Sequence, residues 1–194
     1  MVFAAATNNL KKLAEIQRIL DSFGITAKTL KELDIAVEIE ENGTTFEENA
    51  LIKAKTIAQI SGMPAISDDS GLEVDALGGA PGVYTARFAG ENATDDENID
   101  KLLVSLEGVE KADRTARFVS AVCLYMPDGR YTVCRGTCEG WIGFERIGDG
   151  GFGYDPVFMV GDISYSQMSA SDKDAISHRG SALRQLKEKI SEMI

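Results

Sequence analysis

The sequence predicts an α/β protein with a mixed β-sheet, and three observations point there. An apolar run, Val2 to Ala6, is followed by a stretch with helical spacing of its apolar residues, and strand-like and helix-like stretches go on alternating through the first half. Further on, Thr115 to Met126 and Tyr131 to Cys138 are strand-like runs separated by Pro127-Asp128-Gly129, which reads as a hairpin and therefore as antiparallel pairing. No long linker, low-complexity tract or clear repeat interrupts the 194 residues, so one domain spanning 1–194 is expected.

Each element has its own justification. Val2 to Ala6 is short and apolar throughout, as a buried strand would be. Leu10, Leu13, Ile16, Ile19, Leu20 and Phe23 fall at helical spacing, and Gly24 is placed to end that helix. Thr45 and Glu48 have the spacing of a capping box for a second helix running to about Ser61, with Phe46, Ala50, Ala54, Ile57 and Ala58 as its apolar stripe. Asn49 and Lys53 are four apart and share one face of it. Pro64 to Ser67 leads a short strand into Ser67-Asp68-Asp69-Ser70-Gly71, which puts two carboxylates at the strand's mouth with a small Gly-rich turn after them. Gly78 to Gly82 is a loop, and Thr94 with Glu97 opens a third helix carrying Ile99, Leu102, Leu103 and Leu106. Glu139 to Glu145 reads as a further strand, and Ser171 to the C-terminus as mostly helical, with Leu183, Leu186 and Ile190 inward.

Composition narrows the function classes. The formal net charge is -11, which disfavours non-specific binding to nucleic acid or to an anionic membrane surface. An acidic protein that handles phosphates needs a local basic cluster or divalent cations. Cys123, Cys134 and Cys138 are odd in number and form no Cys-x-x-Cys pair, which fits reduced thiols and a cytoplasmic location. A zinc site is not expected, because the single histidine, His178, is distant from them. No run approaches a membrane-spanning length, and Met1 to Ala6, apolar but short and followed by its lysines, has the wrong order for a secretory signal.

Several segments carry candidate chemistry. Adjacent Asp68 and Asp69 suit a hard cation such as Mg²⁺, which takes oxygen ligands; the plain alternative is a solvated turn. Thr7-Asn8-Asn9-Leu10-Lys11-Lys12 joins the first strand to the first helix, where free N–H groups and the helix dipole favour phosphate, although Thr and Asn are also ordinary N-caps. Glu40-Glu41 precedes the second helix and either complements its dipole or supplies a second carboxylate to a metal shared with Asp69, with Lys53 within reach of a polyphosphate. Gly148, Gly150 and Gly153 match G-x-G-x-x-G formally. A strand-like stretch rather than a helix follows, so a dinucleotide-binding dehydrogenase is rejected in favour of a loop against a flat ligand, with Phe152 or Tyr154 stacking or else sitting in the core. Lys173, His178 and Arg179 form a basic cluster in an acidic chain.

Together and in order, these segments resemble the non-standard purine nucleoside triphosphate pyrophosphatases, the inosine/xanthosine triphosphate pyrophosphatase family. The resemblance rests on Thr7, Asn9, Lys12 and Glu15; on Gly43 to Ala50 with Lys53 and Ala54; on Asp68 to Leu72 continuing through Leu77 to Arg87; on Gly150 to Pro156; and on Lys173, Ile176, Ser177, His178, Arg179 and Gly180. Thr85 stands where the family often has Ser, and Gln167 to Asp172 is richer in Ser than usual.

The resemblance implies an elongated mixed sheet flanked by helices, with two lobes and a central cleft. It implies hydrolysis of ITP, dITP and XTP to the monophosphate and pyrophosphate, Mg²⁺ as cofactor and a homodimer. In that frame Glu40, favoured over Glu41, and Asp69 hold the metal, and Asp69 orients or deprotonates the water with Asp68 beside it. Thr7 to Lys12, Lys53 and Ser70 hold phosphates, while Phe152, Gly153, Tyr154, Asp155, Lys173, His178 and Arg179 surround the base, Arg179 aimed at its 6-oxo group. A non-catalytic nucleotide sensor and a Maf-type pyrophosphatase are the alternatives.

Overall fold

The computed structural model describes residues 1–193. Its strands form a seven-stranded mixed sheet in the order β2-β1-β3-β4-β5-β6-β7, with helices packed on it. The chain divides into two compact units, residues 1–69, 120–136 and 178–194 in the first and 70–119 and 137–177 in the second.

In the first unit, β1 (Val2–Ala5) runs parallel to β2 (Thr26–Thr29) and to the start of β3 (Ala65–Val74). Parallel neighbours need crossovers, and the helices α1 (Leu10–Leu20) and α2 (Phe46–Ser61) supply them. Phe3, Ile16, Leu20 and Ile66 join Val122, Leu124 and Cys134 from β4 (Thr115–Tyr125) and β5 (Tyr131–Ile142) in one core. The helix α5 (His178–Met193) closes it with Leu183, Leu186 and Ile190. The side chain of Ile19 and residue 194 lie outside the described residues.

The α2 helix follows the expected stripe, and Asn49 and Lys53 lie on that same buried face. Thr45 accepts from the Glu48 N–H as an N-cap, and the Glu48 carboxylate reaches back to the N–H and hydroxyl of Thr44. Asn49 is held by accepting from the Gly43 N–H at 2.8 Å, and a Cβ at Gly43 would stand 2.6 Å from that oxygen, so only glycine admits the contact.

The second unit packs Leu72, Val74, Phe118, Tyr154, Phe158 and Tyr165 against Ile99 and Leu102 of α3 (Asp95–Ser105) and its C-cap Leu106, and α3 opens with the expected Thr94–Glu97 capping box. Buried Arg114 donates to the carbonyls of Leu106, Val109, Ile142 and Gly143, stitching the end of α3 to the end of β5. The short strands β6 (Phe158–Val160) and β7 (Ile163–Ser164) add antiparallel edges.

Four expectations change. The Ser67–Gly71 motif does not stand at the mouth of a short strand, because β3 continues through it to Val74. Glu139 to Ile142 is the tail of β5, not a separate strand. The C-terminal helix is broken: α4 (Ala170–Ile176) ends at Ser177, whose extended backbone separates it from α5. The β2 strand was not anticipated, since four residues with two threonines and a lysine carry almost no periodic signal.

Candidate active site

Because β3 outruns its parallel neighbour β1, its acidic residues emerge beside the loop that follows β1. The last pairing is Ala5 with Ile66, and Ala6 N–H still donates to the Ile66 carbonyl. In open α/β sheets this carboxyl end of the parallel strands is where ligands bind. Successive side chains of a strand point to opposite faces, so Asp68 and Asp69, adjacent in sequence, enter different surroundings.

Asp68 is fully buried and belongs to an internal network. Lys12 Nζ lies 3.1 Å and Arg179 Nη2 3.3 Å from its Oδ2, and the Ser120 hydroxyl donates to its Oδ1. Arg179 also donates through Nη1 to Glu15, one turn beyond Lys12 on α1. Burial by itself would raise the Asp68 pKa, but Arg179, then Lys12 and the Ser120 hydroxyl, pull it well below the ordinary carboxylate range.

Asp69 meets a different set. Lys53 Nζ, rising from the buried face of α2, is 3.0 Å from Asp69 Oδ1 and 2.8 Å from Glu41 Oε2. Of the two neighbouring glutamates, both exposed, it is Glu41 that meets Lys53 beside Asp69, whereas the sequence favours Glu40 as the metal-binding one. Burial pushes the Asp69 pKa up despite Lys53. Burial also works to strip the Lys53 proton, but the Asp69 and Glu41 carboxylates outweigh it and raise its pKa.

Two carboxylate oxygens from separate segments converging on one cationic atom are the donor chemistry of a hard divalent ion. Mg²⁺ typically takes one or two carboxylates and completes its shell with water and phosphate oxygens. The residues fit that partial shell. Among the described residues no cluster of three or more His, Cys, Asp and Glu forms a closed metal cage.

The β1–α1 loop is ordered by its own side chains. Asn9 Oδ1 accepts from the Lys11 and Lys12 N–H groups at 3.0 and 3.1 Å, and Thr7 Oγ1 accepts from the Asn9 N–H. Asn8 and Leu10 on this loop are exposed. His178 is buried at the start of α5, where a Cβ on Gly136 of β5 would fall 2.1 Å from its carbonyl oxygen.

In the second unit, Lys173 Nζ of α4 is 2.7 Å from Asp155 Oδ2, both side chains being buried. That same oxygen accepts from the Phe152 N–H at 2.9 Å, and the ammonium lies 5.0 Å from the Phe152 ring centroid. Gly151 has φ of +79°, and a Cβ there would collide with Asp155, so this loop turn requires glycine. Gly153 N–H is held by Asp95 at 2.8 Å. Tyr154 lies in the core with its hydroxyl donating to the Thr85 carbonyl, whereas Phe152 is only partly buried and is the ring of the two with a face to offer. Ser70 follows Asp69 in β3 and is half-buried.

One partner in the site has no sequence signal: Ser120 lies in an apolar strand with nothing local to mark it.

Fold and donor set together define an α/β protein whose paired acids and amines cluster at the carboxyl end of parallel strands. The chain belongs to the Ham1 family, whose pattern matches residues 3–189. It is 49% identical over 188 residues to a protein named dITP/XTP pyrophosphatase from Exiguobacterium sibiricum, covering 96% of this chain and 95% of that one. It is 50% identical over 195 residues to one of the same name from Idiomarina loihiensis, covering 96% of each. Among solved structures, a HAM1 protein from Coxiella burnetii superposes with a TM-score of 0.89 at 42% identity over 99% of both chains. The Ham1 protein of Staphylococcus aureus does so at 0.88 and 39% identity over the whole of each.

Proposed function

We propose that this protein hydrolyses non-standard purine nucleoside triphosphates, ITP, dITP and XTP, to the monophosphate and pyrophosphate, removing them from the nucleotide pool. The relatives named dITP/XTP pyrophosphatase support the substrate class. The single observation that carries the chemistry is the convergence of Asp69 and Glu41 on Lys53.

In this reading residues 1–194 act as one catalytic domain. Lys12, Lys53, Ser70 and the Thr7–Lys12 loop, whose conformation the Thr7 and Asn9 side chains fix, bind the polyphosphate. Asp69 orients the attacking water in line with the scissile bond between the α and β phosphates and takes its proton. Asp69 and Glu41, with Glu40 beside it, would hold Mg²⁺, which when bound supplies charge neutralisation to the phosphates and acidifies water. The candidate base contacts are Phe152, Gly153, Tyr154, Asp155 and Lys173 in the second unit, with Phe152 as the stacking ring, and His178 and Arg179 in the first, where Glu15 and Asp68 hold the guanidinium. A donor aimed at the 6-oxo group of ITP faces a 6-amino group in ATP, a mismatch that can discriminate by roughly 10⁴-fold.

The family resemblance supports a Mg²⁺-dependent, cytoplasmic, homodimeric enzyme without nucleic-acid or membrane partners. The three free buried cysteines suit a reducing compartment, and no helix among the described residues is long and apolar enough to cross a membrane. The test is a pyrophosphate-release screen over ITP, dITP, XTP, the four common nucleoside triphosphates and modified pyrimidine triphosphates, with and without Mg²⁺. Release from the 6-oxo purines with Mg²⁺ is expected; binding of ITP without release would make the protein a sensor, and preference for modified pyrimidines would point to the Maf-type activity.

A further inference from the structure

The Lys53 ammonium stands at hydrogen-bond distance from both carboxylate oxygens that the proposed function assigns to a divalent ion. An ion bound to those oxygens at the about 2.0–2.1 Å of Mg²⁺ would have the ammonium as its close neighbour, two cations within a few ångströms of each other. The second amine nearby does not share this position, because Lys12 is on the Asp68 Oδ2. Lys53 has the means to leave: its stem is anchored on α2 beside Ala50, Ala54 and Ile57, and its head is a point charge with rotatable donors. Glu41 lies outside any helix or strand, with a side chain 38% exposed, while Asp69 is fixed within β3.

We propose that Lys53 is the resident counter-ion of the Glu41–Asp69 pair, and that it and a divalent ion occupy the pair in alternation. In the nucleotide-free protein the ammonium holds both carboxylates. When a polyphosphate binds, its oxygens take the ammonium and the pair accepts the divalent ion. Metal and nucleotide affinities are then positively coupled, each raising the other by the same factor, and the metal alone binds weakly. This rests on the reading of Glu41 and Asp69 as metal ligands.

The experiment is calorimetric titration of Mn²⁺ alone into nucleotide-free protein, with folding checked by circular dichroism. Lys53→Gln is expected to bind Mn²⁺ at least about tenfold more tightly than the wild type, because the charge competing for the pair is gone. Adding Glu41→Gln to that variant should abolish the gain, which locates it at the pair. Lys53→Met keeps the buried stem, drops only the charge, and serves if the glutamine variant does not fold. Equal Mn²⁺ affinity in wild type and Lys53 variants overturns the alternation while leaving the metal ligands standing. No Mn²⁺ binding in any form, with or without a non-hydrolysable ITP analogue, overturns the ligand reading itself.

Discussion

Asp68→Asn isolates the internal network from the chemistry. The amide is nearly isosteric and still accepts from the Ser120 hydroxyl, but it removes the charge facing Arg179, whose side chain is only 2% exposed. Removing one partner of a buried pair costs about 3–5 kcal/mol, because the other charge stays buried without compensation. Glu15 remains on Arg179, and Lys12, 18% exposed, can turn to water, so the lower end applies, about 3 kcal/mol. For a chain of this size that is a fall in melting temperature of about 6–12 °C. Urea denaturation is the assay, since guanidinium would screen the pair. The pH dependence adds a signature. A carboxylate whose folded pKa lies below its unfolded value contributes stability above the unfolded value, near pH 4, and loses it as pH falls toward the folded one. The gap between wild type and variant should therefore be full at pH 7 and narrow below about pH 4. A loss under about 1 kcal/mol at pH 7 with an unchanged m-value would refute the assignment of Asp68 as the buried anchor of Arg179.

Three further outcomes are expected. Asp69→Asn should lower pyrophosphate release by at least about 100-fold; near-normal turnover would sink its role as base. A chelator should abolish release and added Mg²⁺ restore it, so a rate indifferent to chelator rules out the metal scheme. Arg114→Met strips the partner from several buried carbonyls in the second unit, each worth about 1–3 kcal/mol when left unsatisfied, and should lower urea stability by at least about 3 kcal/mol; a loss below about 1 kcal/mol would show that water or other donors replace the guanidinium.

The helices were legible because their signals are local. Thr94 with Glu97, and the stripe from Phe46 to Ala58, are complete within a few turns of chain. The same stripe also placed Lys53 correctly, since sharing a face with Asn49 on a buried helix leaves few directions for its amine. What could not be read was decided by distant partners. Ser120 is an unremarkable serine in an apolar strand until β4 brings it to Asp68, and the choice of Glu41 depends on where an irregular segment lies against α2. The break at Ser177 has no glycine or proline to announce it.

The most instructive difference is the Asp68-Asp69 motif. At the mouth of a strand that ended at Ser67, the two acids would stand side by side, one supporting the other at a metal. Within β3 the pleat separates them, and the separation assigns their surroundings. The acid on one side meets Arg179, Lys12 and Ser120 and is held charged well below the usual range. The acid on the other meets Lys53 and Glu41, and burial raises its pKa. Two identical side chains, one residue apart, are thus driven in opposite directions by strand alternation, and moving either acid along the strand by one position would exchange their surroundings.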